Sequence, residues 1–248
     1  MNHKLKTAMV LSAADAAGYS FLPSAAAKYK RAVLRKTGQR EERLRGTPKV
    51  LYLTFDDGPH PVYTEKLLNL LEEYQIKATF FVVGKFAEEN PQLIMRMKKE
   101  GHRIGMHSYD HKSAMIQSPK ESAKDFRQCV SVMKKLHIDT NLYRPPWGHV
   151  NWITLRQLSA AGMRKILWDV MAQDWEPDTD EETIQYKLLK RAQAGDVICL
   201  HDRQADSDES ELPKEGVEKV LPPARMIAAL EKTIPIWLEE GYVFETIR

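Results

Sequence analysis

From residue 50 onward the chain alternates short apolar runs with longer stretches of helical periodicity, and this alternation limits its fold more than any other feature. The runs fall at residues 50–55, 78–83, 103–106, 142–144, 165–170, 196–200 and 242–246. Consecutive parallel strands need a crossover of a dozen or more residues, usually a helix. The punctuation agrees. Pro91 follows a candidate cap, Asn90, and Ser118-Pro119 opens the next helix. Gly101, Gly162, Gly195 and Gly241 stand where helices should stop. Seven strands with helical crossovers predict a parallel, barrel-like α/β domain.

In such barrels the loops leaving the C-terminal ends of the strands converge on one rim, where sites are built. The polar clusters of this chain fall at those positions. Thr54-Phe55-Asp56-Asp57-Gly58-Pro59 ends the first run with two adjacent carboxylates. Neighbouring carboxylates repel each other unless a cation or a proton is shared. His107 and His111, after the third run, have a spacing that can bring two imidazoles to one ion. Alone, Asp-Asp-Gly-Pro is a common turn, and H-x-x-x-H a common pair of surface histidines. Three further segments follow in order: Arg144-Pro145-Pro146-Trp147-Gly148, then Trp168-Asp169-Val170-Met171-Ala172-Gln173-Asp174-Trp175, then Val197-Ile198-Cys199-Leu200-His201-Asp202.

Together the five segments resemble the motif set of the polysaccharide deacetylases with a NodB-type domain (carbohydrate esterase family 4), over residues 46–248. The resemblance implies an incomplete (β/α)7 barrel. It implies a metal-dependent hydrolase that removes N-acetyl groups from N-acetylglucosamine-type polysaccharide, peptidoglycan or chitin-like, with release of acetate. By the same resemblance Asp57, His107 and His111 hold a divalent metal, Zn2+ in the first place, with Co2+ or Ni2+ as alternatives. Asp56 is the base toward a water at the metal, Arg144 holds Asp56, and His201 is the acid for the leaving nitrogen. Trp147 contributes a backbone N–H to the oxyanion and contacts substrate together with Pro146. Trp175 and Leu200 line an apolar notch for the acetyl methyl group. The fourth segment departs from the pattern, because many relatives carry Asp where Met171 stands, orienting the histidine. Either Asp169, Asp174 or Asp202 takes over that role, or His201 works unassisted. Asp174 is counted with the catalytic set.

The rest of the chain sets bounds. A net charge of +3 gives no indication of nucleic acid, and 43% hydrophobic residues suffice for a packed core. Cys129 and Cys199, the only two cysteines, make no disulfide framework and read as buried thiols. Residues 1–45 form an arm apart from the catalytic domain, residues 46–248. In it Lys4 and Lys6 precede a mildly apolar run, interrupted by Asp15, that resembles a degraded secretion signal or anchor. The basic stretch from Lys28 to Arg45 suits peripheral contact with membrane lipid or wall polymer, or a solvated helix. An extracytoplasmic or cell-surface location is expected, with the cytoplasm left open. His3, His60, His102 and His137 read as solvated; His149 reads as a surface residue or as one within reach of substrate, and the acidic stretch 202–215 as a solvated loop or as a rim of the site. Two other readings stand: an amidase for small cyclic amides on the same metal centre, and a catalytically weak carbohydrate-binding module. The presence of Asp56, Arg144 and His201 weighs against the second.

Overall fold

The computed structural model describes residues 48–204 and 222–248. The expectations for the N-terminal arm, and for most of the acidic stretch, lie outside those residues.

Strand β1 (Lys49–Asp56) is the centre of the sheet. Its odd-numbered residues Leu51, Leu53 and Phe55 are 0% exposed and belong to the main core. Its even-numbered residues Thr54 and Asp56 point to the other face, toward the site. Burying each of those apolar side chains contributes about 1.5–3 kcal/mol. A one-residue slip would exchange the two faces, so the same burial that holds β1 also aims Asp56.

Around β1 the chain lays down α1 (Tyr63–Glu73), β2 (Thr79–Val82), α2 (Gly84–Glu89), α3 (Pro91–Lys99), β3 (Arg103–Met106), α4 (Pro119–Lys135) and β4 (Leu142–Tyr143). A 3-10 turn at Pro146–Gly148 leads to α5 (Trp152–Ala160), β5 (Arg164–Lys165), β6 (Val170–Met171), α6 (Glu181–Arg191), β7 (Val197–His201), α7 (Pro222–Glu239) and β8 (Tyr242–Phe244). The strands run in the order β5-β4-β3-β2-β1-β7-β6, with every pair parallel. β8 pairs with the first three residues of β1. Buried residues of α1 (Leu67, Leu68, Leu71) and α7 (Met226, Leu230, Ile234) share the core with the outer face of β1.

The expected fifth strand, 165–170, is in fact divided. β5 pairs with β4 and β6 with β7, which puts the two halves of one stretch on opposite edges of the sheet. Ile166 N still donates to Tyr143 O at 2.9 Å, and Asp169 N to Val197 O at 2.8 Å. In between, the ladder changes partners and leaves the carbonyls of Ile166 and Leu167 facing inward. Arg144 answers them, donating from Nε at 3.4 Å and from Nη2 at 3.3 Å. A side chain seals the seam where a closed barrel would have a ladder.

The helix boundaries hold except at Asn90 and at Gly195, which lies in a turn beyond Ala192, the C-cap of α6. Ser118 caps α4 in a reciprocal pair with Glu121, but Asn90 turns its amide back to Phe86 O at 3.0 Å and does not cap α3. His102, expected in solvent, is 7% exposed and accepts the Ala78 N–H on Nδ1. Burial pushes its pKa down to about 4. His60 is only partly buried and also has a local task, accepting the N–H groups of Val62 and Tyr63 at the start of α1. Cys129 and Cys199 are both buried and free. Among the described residues no helix is long and apolar enough to cross a membrane.

Candidate active site

Asp56 is the last residue of β1, and Asp57 turns away from it with φ 74, so the two carboxylates diverge. Asp57 Oδ1 lies 3.3 Å from His107 Nε2 and 3.0 Å from His111 Nε2. Donors bound about 2.0 Å from a tetrahedral ion are about 3.3 Å apart, so these three atoms fit the corners of one metal site. All three residues are buried. Burial alone would raise the pKa of Asp57, but the His111 charge and the bonds from His107 and His111 outweigh it and hold the carboxyl well below its usual range. The other ring nitrogen of His107, Nδ1, lies 2.7 Å from Arg144 O. A carbonyl can only accept, so Nδ1 carries the proton and Nε2 faces the site.

The His107–His111 spacing is realised in a loop and not on a helix. Ser108 and His111 take φ values of 66 and 54, in the left-handed region that ordinary residues avoid. What holds the loop is Asp125 of α4, whose carboxylate accepts the N–H groups of Tyr109 at 3.0 Å and Asp110 at 2.9 Å. Gly84 lets it close, because a Cβ there would come within 2.8 Å of the Tyr109 ring.

Asp56 Oδ1 accepts from Arg144 Nη1 at 2.8 Å, while Oδ2 lies 3.4 Å from Cys199 Sγ. Arg144 is 0% exposed, stacked on the Phe81 ring, and also donates to Thr54 Oγ1. His201 is the register partner of Asp56 across β1 and β7. Its Nδ1 lies 3.1 Å from Asp174 Oδ1, and its backbone N donates to Asp174 Oδ2 at 2.8 Å. Burial works against the charged ring, yet the Asp174 carboxylate outweighs it and raises the pKa of His201 well above the usual value. Of the alternatives for orienting His201, then, Asp174 occupies the position. Asp169 accepts from Val197 N, and Asp202 accepts from the Thr64 hydroxyl.

Around these groups, Trp175 sets its ring edge against His201 at 5.0 Å. Trp147, with φ 51, is 45% exposed and lies 4.5 Å from the His111 ring. Pro146 is buried, so of that pair only Trp147 reaches outward. His149 is partly buried and bonds to Ser113 Oγ at 2.9 Å. Leu200 requires a correction. It is 0% exposed and packed in the main core, on the face of β7 opposite Cys199 and His201. Counting back two residues from His201 leads to Cys199 on the inner face, and back two from Asp56 to Thr54. That alternation was available in the sequence. Asp125 had no such signal, since it reaches the loop only through the way the following helix, α4, folds back over it.

Comparison with known proteins agrees with this geometry. The profile of the polysaccharide deacetylase family matches residues 43–166. A peptidoglycan-N-acetylglucosamine deacetylase from Bacillus cereus is 32% identical over 216 residues, 86% of this chain and 93% of that protein. The chain belongs to the polysaccharide deacetylase family. Further relatives of this deacetylase include a chitooligosaccharide deacetylase from Azorhizobium caulinodans, 29% identical over 79% of this chain and 92% of that protein. The solved structure of the peptidoglycan deacetylase PdaC from Bacillus subtilis superposes with a TM-score of 0.67 at 30% identity, covering 81% of this chain and 89% of that one. The curled parallel sheet is thus the family's fold, and the enzyme is a hydrolase of N-acetyl amide bonds.

Proposed function

We propose that this polysaccharide deacetylase hydrolyses the N-acetyl group of N-acetylglucosamine-type sugars in peptidoglycan or a chitin-like chain. One observation carries the reading. A set of metal donors, Asp57, His107 and His111, lies beside a separate proton-transfer pair, Asp56 held by Arg144 and His201 held by Asp174. The named activities of the relatives, on both polymers, support the substrate class.

Asp57, His107 and His111 would hold the divalent ion, and one carboxylate with two imidazoles suits Zn2+ while leaving Co2+ and Ni2+ open. When bound, such an ion acidifies water and polarises the amide carbonyl. Arg144 occupies Asp56 Oδ1, so Oδ2 is the atom that takes the proton of the attacking water. The backbone N–H of Trp147 supports the carbonyl oxygen as it gains charge, an interaction worth about 10²–10³ in rate. Asp174 fixes His201 at Nδ1, so the proton for the departing nitrogen comes from Nε2. The C–N bond breaks, the water oxygen leaves in acetate, and the sugar keeps an amine. The exposed face of Trp147 suits stacking on a sugar ring, and Trp175 bounds the acetyl side. Wall polymers lie outside the membrane, so this substrate class supports an extracytoplasmic or surface location, with the basic arm making peripheral contact.

The test is acetate release from N-acetylglucosamine oligomers and from peptidoglycan, with Zn2+ and after chelation. Release should require metal and fall about 10²–10⁴-fold in Asp56→Asn. A metal-loaded protein that frees no acetate from either polymer would sink the reading.

A further inference from the structure

Beside the Asp57 set lies a second group of metal donors, made of Asp56, Cys199 and His201. One atom of each lies within 4.8 Å of the others. They meet because β1 and β7 are paired, with Thr54 opposite Cys199 and Asp56 opposite His201. Asp56 Oδ2 and Cys199 Sγ are 3.4 Å apart. An ion about 2.0 Å from an oxygen and 2.3 Å from a sulfur, at the tetrahedral angle, separates them by about 3.5 Å. The Cys199 side chain also contacts that of His201. The existing hydrogen bonds leave room, since Arg144 occupies the other oxygen of Asp56 and Asp174 the other nitrogen of His201.

We propose that Asp56, Cys199 and His201 form a second, inhibitory site for a thiophilic divalent cation, Cd2+ or Zn2+ in excess. The donor sets differ in kind. The first offers one oxygen and two nitrogens, whereas the second offers oxygen, sulfur and nitrogen and favours softer ions. As the S–metal bond forms, the thiol proton passes to solvent. The ion then occupies both groups needed for proton transfer, Asp56 Oδ2 and His201 Nε2. The neighbouring Arg144 charge opposes a further cation, which makes this the weaker of the two sites. Cys199 and Asp56 are almost closed off, but the His201 side chain is 16% exposed and marks the way in. The inhibitory consequence rests on the acetyl-hydrolase reading; the binding does not.

The experiment adds cadmium to the purified zinc-loaded full chain, following total bound metal, the thiolate-to-cadmium charge-transfer band in the ultraviolet, and acetate release. A second ion should bind, the band should grow with it, and acetate release should fall at least about tenfold, since loss of either proton-transfer group alone costs 10²–10⁴. Cys199→Ser should bind one ion fewer, show no band, and keep turning over in cadmium. His111→Ala should keep the band while weakening the first site. The wild-type band tests binding without any substitution, so a misfolded variant does not remove the test. No band and no second ion in the wild type would overturn the proposal. So would a band that persists in Cys199→Ser, because Cys129 is the only other thiol. If acetate is never released under any condition, the band and the metal count still decide the site.

Discussion

The proton that His201 carries depends on Asp174, whose two oxygens lie 3.1 Å from the ring Nδ1 and 2.8 Å from the backbone N. Burial favours the neutral ring and the carboxylate favours the charged one, and the carboxylate prevails. The ring proposed as the acid is therefore loaded at neutral pH, and loss of its proton should set the alkaline limb of the activity profile, while protonation of Asp56 and of the metal donors sets the acid limb. Asp174→Asn keeps the shape but removes the charge. Its alkaline limb should move to lower pH and kcat should fall about a hundredfold. Profiles of kcat against pH for both proteins check this, and an unmoved limb would remove His201 from the acid role. Met171→Asp should bring no gain in turnover, because Nδ1 already has its partner. Residues 199–201 illustrate how finely side-chain direction matters. Leu200 fills the core and Cys199 the site, although they are neighbours.

At the scale of elements, the loop that carries the candidate metal ligands His107 and His111 owes its shape to α4. Two backbone N–H groups of the loop converge on one carboxylate, Asp125, which is 6% exposed and whose pKa is raised by its burial. Asp125→Asn replaces one acceptor with a donor facing an N–H group. His111 then loses its fixed position, and metal affinity should fall about 10–100-fold, as for other outer supports of metal ligands. Competition with a chelating dye measures the affinity. The thermal melt of the metal-free protein should change far less, which separates a positioning role from a structural one.

Across the whole sheet, Arg144 joins fold and site in one group. It bridges the seam where residues 164–171 cross from one edge to the other, and it pairs with Asp56 in the interior. Arg144→Met leaves a buried carboxylate without its counter-charge and two carbonyls without donors. Urea unfolding should show a loss of about 3–5 kcal/mol. Adding Asp56→Asn should recover part of it, since the two residues are in contact and their effects should not add. Much of this was legible in the chain itself. Strand and helix order followed from apolar runs and their punctuation, and the motif residues fell at strand ends, because such patterns are written in neighbouring residues. The alternation that separates Cys199 from Leu200 was legible too, two residues back from His201. The change of partners between β5 and β6, the reach of Asp125 into the His107–His111 loop, and the choice of Asp174 over Asp169 and Asp202 were settled only by the tertiary structure. Each depends on which distant backbone groups are left to be satisfied once the sheet has curled, and no local run of residues encodes that.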